Sequence, residues 1–226
     1  MLEAVVFDFD GVIADSEPVH YAAIREVAAT VGVAIDPDDY DRVFIGFDDR
    51  DAFREVLRRA NGGVDEARVA AMCADKAERF DRLAEAGVAA IDGAIELADA
   101  LRDANVPIAI GSGATHREID LMLRGIGAAD RFEVIVSADD VTHSKPDPMT
   151  YAAAVRRLGE AVGRALDPAR CVAIEDTAAG VASAKAAGLG CVGVTTTGSA
   201  ENLAQADRVV SGPIAIDLAL LRAVAG

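Results

Sequence analysis

Two acids, Asp8 and Asp10, stand directly behind the apolar run Ala4, Val5, Val6, Phe7 in "AVVFDFDG". Carboxylates are costly to bury, so acids at the tip of such a run are there because their charge is used. Residues i and i+2 of an extended chain share a face, which lets both carboxylates enter one small space, where alone they would repel. Three later stretches offer matching chemistry: Gly111, Ser112 and Gly113 in "GSG", Lys145 in "SKPDP", and Glu175 and Asp176 in "IED". Asp8, Asp10 and Asp176 together would be hard oxygen ligands of the kind Mg²⁺ favours, with no Cys or His to indicate a softer metal. Lys145 would balance the remaining charge and hold an anion. Ser112, Gly113 and the amides after Asp8 would donate hydrogen bonds to that same anion, as tight turns and helix starts do for phosphate. Taken singly, Asp176 reads equally well as a helix cap, Ser112 as a turn residue and Lys145 as a solvated charge. Their recurrence at successive strand ends is what points to a site.

The elements that must position these residues are legible from apolar runs. "AVVFD" (4–8), "VPIAIGS" (106–112), "FEVIVS" (132–137), "CVAIED" (171–176) and "CVGVTT" (191–196) read as strands, with "RVVS" (208–211) as a sixth at an edge. Their continuous rather than alternating hydrophobicity indicates a parallel sheet covered on both faces. Helix starts lie between them. Thr115 and Glu118 form a capping box, Asp147 caps with Pro148 at the first helical position, and a helix beginning after Asp176 closes at Gly188. The pattern is that of an α/β fold with a doubly wound parallel sheet, whose ligands bind beyond the carboxyl ends of the strands.

One segment departs from it. Between about 16 and 87 there is no strand signal, only helical stretches such as "PVHYAAIREVAATVG", "DRDAFREVLRRANGG" and "DEARVAAMCADKAERFDRLAEAG", separated by turns at "DPDD" (36–39) and "NGG" (61–63). The expected organisation is a core domain from 1–15 and 88–226 with a small α-helical domain, 16–87, inserted in it, and hinges near 14–17 and 87–93.

Composition narrows the function classes. Of 226 residues, 52% are hydrophobic and 27% charged, which is globular rather than disordered. The net charge of −16 disfavours nucleic acid and anionic membrane surfaces as partners, and suits a bound cation. Cys73, Cys171 and Cys191 are odd in number and lack ligand spacing, which points to a reduced, cytoplasmic protein, and Cys171 and Cys191, each opening an apolar run, read as small buried hydrophobes. No signal peptide is visible, and no apolar run reaches the roughly 18 residues a membrane helix needs. No apolar stripe demands a partner chain, so a monomer or weak homodimer is expected.

"DFDGV", "GSG", "SKPDP" and "IEDTAAGVASAKAAG", in this order, resemble the four motifs of the haloacid dehalogenase (HAD) superfamily of phosphotransferases, and the resemblance spans the chain. It implies the Rossmann-like core of that family, with 16–87 as its cap domain. It also implies a small phosphorylated metabolite as substrate and Mg²⁺ as cofactor. Asp8 would be the nucleophile that forms an aspartyl-phosphate, and Asp10 the general acid and then the general base. Ser112 and Lys145 would bind the phosphoryl oxygens, and Asp8, the Asp10 backbone carbonyl and Asp176 the metal, with Glu175 assisting. A second acid at the Asp10 position sets the chain apart from the dehalogenases, whose halide leaving group needs no proton.

Within the superfamily the chain is most similar to the β-phosphoglucomutase and phosphoglycolate phosphatase branch. His20, Arg50 and Lys76 fall near cap positions where the mutases handle a sugar phosphate, although Arg50 and Lys76 also suit a solvated helix face. The acidic "GFDDRD" (46–51) stands where the mutases carry a more neutral loop. The leading expectation is a phosphatase of a small phosphate monoester. The alternatives are a β-phosphoglucomutase and a non-enzymatic phosphate-binding protein on the same fold.

Overall fold

β1 (Ala4–Phe7) lies in the middle of a six-stranded, wholly parallel sheet in the computed structural model, which describes residues 1–44, 47, 49–61 and 63–226. The strand order is β5-β4-β1-β6-β7-β8, where β4 is Ile108–Gly111, β5 Val134–Val136, β6 Cys171–Glu175, β7 Gly190–Val194 and β8 Arg208–Val210. Every residue of β1, β4, β6 and β7 is buried, which is why their sequences are continuous apolar runs. Pairing of Phe7 with both Ile110 and Ile174 brings the carboxyl ends of three strands level. From β1 the chain moves outward through β4 to β5, then returns to build β6, β7 and β8 on the other side. The reversal falls between β1 and β6, where a doubly wound sheet opens its crevice.

The strands are one to three residues shorter than the apolar runs suggest, because the ends of those runs have already turned into loops. β8 is the edge strand expected of "RVVS". A two-stranded antiparallel pair, β2 (Ala14–Asp15) with β3 (Ala89–Ala90), is new. Two residues per strand are too few to leave a periodic signal.

The chain separates into two compact units, Met1–Asp15 with Ala89–Gly226 and, apart from it, Ser16–Val88. In the second, α1 (Glu17–Thr30), α2 (Pro37–Asp39), α3 (Asp49–Asn61) and α4 (Glu66–Glu85) surround an apolar centre that includes Val27, Phe44, Phe53, Leu57 and Val69. "DPDD" is a helix start rather than a turn. Asp36 accepts the Asp39 amide at 2.8 Å, Pro37 opens α2, and the chain winds on as a π-helix over Tyr40–Phe44. The "NGG" turn and the "GFDDRD" stretch lie partly outside the described residues.

In the first unit, α5 (Ala94–Asp103), α6 (His116–Ile126), α7 (Met149–Ala161), α8 (Ala178–Ala186) and α9 (Leu218–Val224) flank the sheet. Thr115 and Glu118 form the expected capping box on α6. Asp147 accepts the Met149 amide at 3.0 Å, so it serves the start of α7 although the helix opens one residue later than expected. Thr177, not Asp176, caps α8 by accepting the Gly180 amide. Asp176 is thereby released from the ordinary explanation for its presence. No helix among the described residues is long and apolar enough to cross a membrane.

Replacing Thr115 with Ala removes the hydroxyl that satisfies the first turn of α6. Stability in urea denaturation is expected to fall by about 1 kcal/mol with an unchanged m-value.

Candidate active site

Asp8 leaves β1 with its amide still donating to Ile174 O at 2.9 Å, so the strand ladder fixes the residue one step beyond the last paired position. Its side chain is almost fully buried, and Oδ1 accepts from Lys145 Nζ at 2.8 Å. The same ammonium donates to Glu175 Oε1 at 2.6 Å and to the Tyr151 hydroxyl at 3.3 Å. Lys145 reaches this point from the loop before α7, and Glu175 from the last position of β6.

Glu175 is completely buried, and both of its oxygens are occupied. Oε1 accepts from Lys145 and from the Tyr151 hydroxyl at 2.8 Å; Oε2 accepts from the amides of Asp176 and Thr177, each at 3.0 Å, and from the Thr177 hydroxyl at 2.9 Å. This is a carboxylate held in one orientation. Its space exists because residue 180 is Gly: a Cβ there would run into the Glu175 carboxylate.

Asp176 presents the opposite picture. Oδ2 accepts from the Thr197 hydroxyl, while Oδ1 is buried and has no hydrogen-bond partner, alone in that respect among the described residues. A buried, unsatisfied carboxylate oxygen is costly unless something fills its lone pairs. Asp8, Glu175 and Asp176 each bring a carboxylate oxygen within 4.8 Å of the others. Three negative groups against one ammonium, all oxygen donors and one of them unsatisfied, fit a hard divalent cation such as Mg²⁺. Glu175 stands in this trio where the extended-strand reading put the Asp10 carboxylate. β1 ends at Phe7 and the chain turns tightly, with the Ile13 and Ala14 amides on Phe9 O, so the i, i+2 rule stops short of Asp10. Asp10 is half-buried and its backbone bridges to Ala14. Gly11 makes the turn possible at φ +72°, and a Cβ there would collide with Asp176 Oδ2. The Thr196 hydroxyl bonds Gly11 O and ties the loop after β7 to the same turn.

The electrostatics follow from burial and charge count. Burial first, then the charge of Glu175, pushes Asp8 well above the carboxylate range, with Lys145 opposing. Asp176 is pushed up to about 7 by burial and again by Glu175. Burial would raise Glu175 too, but the Lys145 ammonium, with the Thr177 and Tyr151 donors, holds it below its ordinary value. Lys145 is raised although burial opposes charge, because Asp8 and Glu175 flank it. Tyr151 is raised well above its usual value by burial and by Glu175, so it stays a donor.

Ser112 follows β4 and is buried. Its amide donates to Val136 O and its Oγ accepts the Ala114 amide, both at 2.9 Å, which leaves the hydroxyl proton as a donor. Gly113 is exposed with open space around its Cα.

His20 and Lys76 come together in the helical unit. Lys76 Nζ lies 3.0 Å from His20 Nδ1 and 2.9 Å from Asp49 Oδ1, with a side chain only 4% exposed, and both residues pack on Phe80. An ammonium only donates, so Nδ1 accepts and the imidazole proton sits on Nε2. Burial, then Lys76, lowers His20 to about 3, so it is neutral near pH 7. Arg50 does not join this pair. Its side chain is 59% exposed and approaches Glu66 at 4.0 Å. Sequence reasoning missed Tyr151, Thr177, Thr196, Thr197 and Asp49. Only Thr177 had a readable signal, as a capping residue before a helix.

Residues 5–194 match the family model described as haloacid dehalogenase-like hydrolase. The validoxylamine A 7′-phosphate phosphatase of Streptomyces hygroscopicus subsp. limoneus is 33% identical over 208 residues, covering 92% of each chain. The crystal structure of CbbY from Rhodobacter sphaeroides in complex with phosphate superposes with a TM-score of 0.81 at 29% identity, over 98% of this chain and 99% of that one. The β-phosphoglucomutase structure from Clostridium difficile gives a TM-score of 0.80 at 25% identity, over 100% and 97%.

Replacing Gly180 with Ala drives a methyl group into Glu175, in a fully buried position with no room to yield. Stability is expected to drop by about 1 to 3 kcal/mol in chemical denaturation, with turnover of phosphate esters falling at the same time.

Proposed function

The chain belongs to the haloacid dehalogenase-like hydrolases, and from that membership we propose that it is a Mg²⁺-dependent phosphatase of a small phosphate monoester, working through an aspartyl-phosphate on Asp8. It is an enzyme of phosphate-ester hydrolysis; the metal, the intermediate and the residue roles are our reading. One observation carries that reading: the buried Asp8 carboxylate, in contact with Lys145 and within 4.8 Å of Glu175 and Asp176, where three carboxylates exceed one ammonium and favour a divalent cation, whose added charge would let a phosphate bind beside Lys145.

In this mechanism a carboxylate oxygen of Asp8 attacks phosphorus in line as the ester P–O bond breaks. Asp10 gives a proton to the departing alcohol oxygen. The resulting Asp10 carboxylate then takes a proton from the water that attacks the aspartyl-phosphate, releasing inorganic phosphate and the free Asp8. Lys145, the Ser112 hydroxyl and the amides near Gly113 bind the phosphoryl oxygens, where charge concentrates in the transition state. Asp8, Asp176 and the Asp10 carbonyl would hold Mg²⁺, which when bound neutralises charge on the transferring group.

The helical unit would select the substrate. The His20–Lys76 contact favours a second reading as a β-phosphoglucomutase, although Arg50, exposed and nearest Glu66, does not join that contact. Against it, the Lys76 charge is already matched by Asp49 at 2.9 Å, which suits a substrate whose remainder is neutral. The relative named as a validoxylamine A 7′-phosphate phosphatase fits the phosphatase reading.

On a panel of phosphate esters with Mg²⁺, Asp8→Asn is expected to abolish phosphate release, and retained turnover would sink the nucleophile assignment. Adding glucose 1,6-bisphosphate to a β-glucose 1-phosphate assay should leave phosphate release dominant; net isomerisation would instead favour the mutase. Mg²⁺ should raise the melting temperature of the wild-type protein, as any ligand of the native state does. That shift is expected to vanish in Asp176→Asn, and a shift that survives would remove Asp176 from the metal site.

A further inference from the structure

Tyr151 stands in the first turn of α7, and no solvent reaches it. Apolar neighbours would account for its ring, since Val6, Ala154, Val155 and Ala173 belong to the same cluster. They do not account for its hydroxyl, which closes a triangle with the two charged groups nearest Asp8. Its edges are 2.6 Å from Lys145 Nζ to Glu175 Oε1, 2.8 Å from Tyr151 Oη to Glu175 Oε1, and 3.3 Å from Lys145 Nζ to Tyr151 Oη. The ammonium also lies 4.9 Å from the centre of the Tyr151 ring.

We propose that Tyr151 is a positioning residue for phosphoryl transfer, acting through Lys145: hydroxyl and ring hold the ammonium against Asp8 before the phosphate ester arrives. This rests on the phosphatase reading above. A lysine ammonium has three N–H donors, and here each has an acceptor: Asp8 Oδ1, Glu175 Oε1 and the Tyr151 hydroxyl. Only the Asp8 contact lies on the reacting carboxylate. When phosphoryl oxygens compete for that N–H, the other two contacts keep the nitrogen in place, so a long flexible side chain does not have to be ordered during the reaction. The hydroxyl works on both partners. It donates to Glu175 Oε1 and accepts from Lys145, so Tyr151→Phe would remove a donor from a fully buried carboxylate and an acceptor from the ammonium. The aromatic face adds an attraction that Leu could not supply.

Tyr151→Phe separates this role from packing because it keeps the ring. On an ester that the wild type turns over, kcat/KM should fall about tenfold, the worth of one hydrogen bond to a charged group. Inhibition by inorganic phosphate should weaken by a similar factor, while the Mg²⁺ concentration for half-maximal activity stays within about twofold. The deciding measurement is a cycle with Lys145→Ala, read as inorganic phosphate binding by calorimetry and as turnover of an activated aryl phosphate. In that background Tyr151→Phe should change either quantity by less than about twofold, because the group it positions is gone. An equal loss with and without Lys145 would mean that Tyr151 serves the fold alone, and so would a Tyr151→Phe protein that does not fold. Either result overturns the proposal, as does an unchanged kcat/KM in the single variant. Wild-type protein that releases no phosphate from any ester would instead sink the parent reading.

Discussion

Three carboxylates buried against a single ammonium are the constraint on which the rest of this structure depends. Water would solvate such groups for little; in a dry crevice their mutual repulsion has to be met by geometry. The protein meets it unequally. Glu175 receives five hydrogen bonds and stays ionised, whereas Asp8 and Asp176 are driven upward by burial and by the charge of Glu175 itself. That division leaves Asp176 Oδ1 unsatisfied and Asp8 short of positive charge. The two residues with unmet electrostatic demand are those proposed to meet the metal and the phosphorus. The carboxylate with none is the one that holds the lysine.

The sheet makes this arrangement affordable. Strand carboxyl ends face the crevice at the reversal between β1 and β6, so residues 8, 145, 175 and 176 converge although the chain separates the first from the others by more than half its length. The four central strands, β4, β1, β6 and β7, carry no charge except Glu175, which enters at the last position of β6. Two missing side chains matter as much as those present. Gly11 lets the turn after β1 pass Asp176, and Gly180 lets α8 begin against Glu175. The glycines in "DFDG" and "DTAAG" are therefore requirements of close approach, not of loose loops.

Much of this was legible in the sequence, and the reasons differ between residues. The strands were readable because burial on both faces forces continuous apolar runs, and the capping box at Thr115 because its two partners sit at a fixed spacing. Asp8, Lys145 and Asp176 stood out as charges at strand ends. Tyr151 did not, since an aromatic in an apolar helix reads as core and its hydroxyl matters only once the fold brings it to Glu175. Thr196 and Thr197 were equally silent, because a hydroxyl in a polar loop acquires meaning only from what lies across space. The substitution of Glu175 for Asp10 in the carboxylate trio shows where local geometry misleads: the i, i+2 rule holds for a strand, and the strand had ended.

Lys145 and Lys76 give the last step. Lys145 faces Asp8 and Glu175 together, so its charge is more than matched, and an arriving phosphate must be accommodated by added positive charge. Among the described residues Lys76 faces the Asp49 carboxylate and one neutral imidazole, so its charge is met there. The Lys76 amine has already given a hydrogen bond to His20 Nδ1, which fixes the imidazole proton on Nε2 as a neutral donor. A group recognised by that cluster would therefore be read through hydrogen bonds rather than through charge, as a sugar-like hydroxyl is and a second phosphate is not. The two lysines thus differ in balance: at Lys145 a negative excess has to be met by a cation before an anion can be accommodated, and at Lys76 the charge is met by Asp49 within the helical unit.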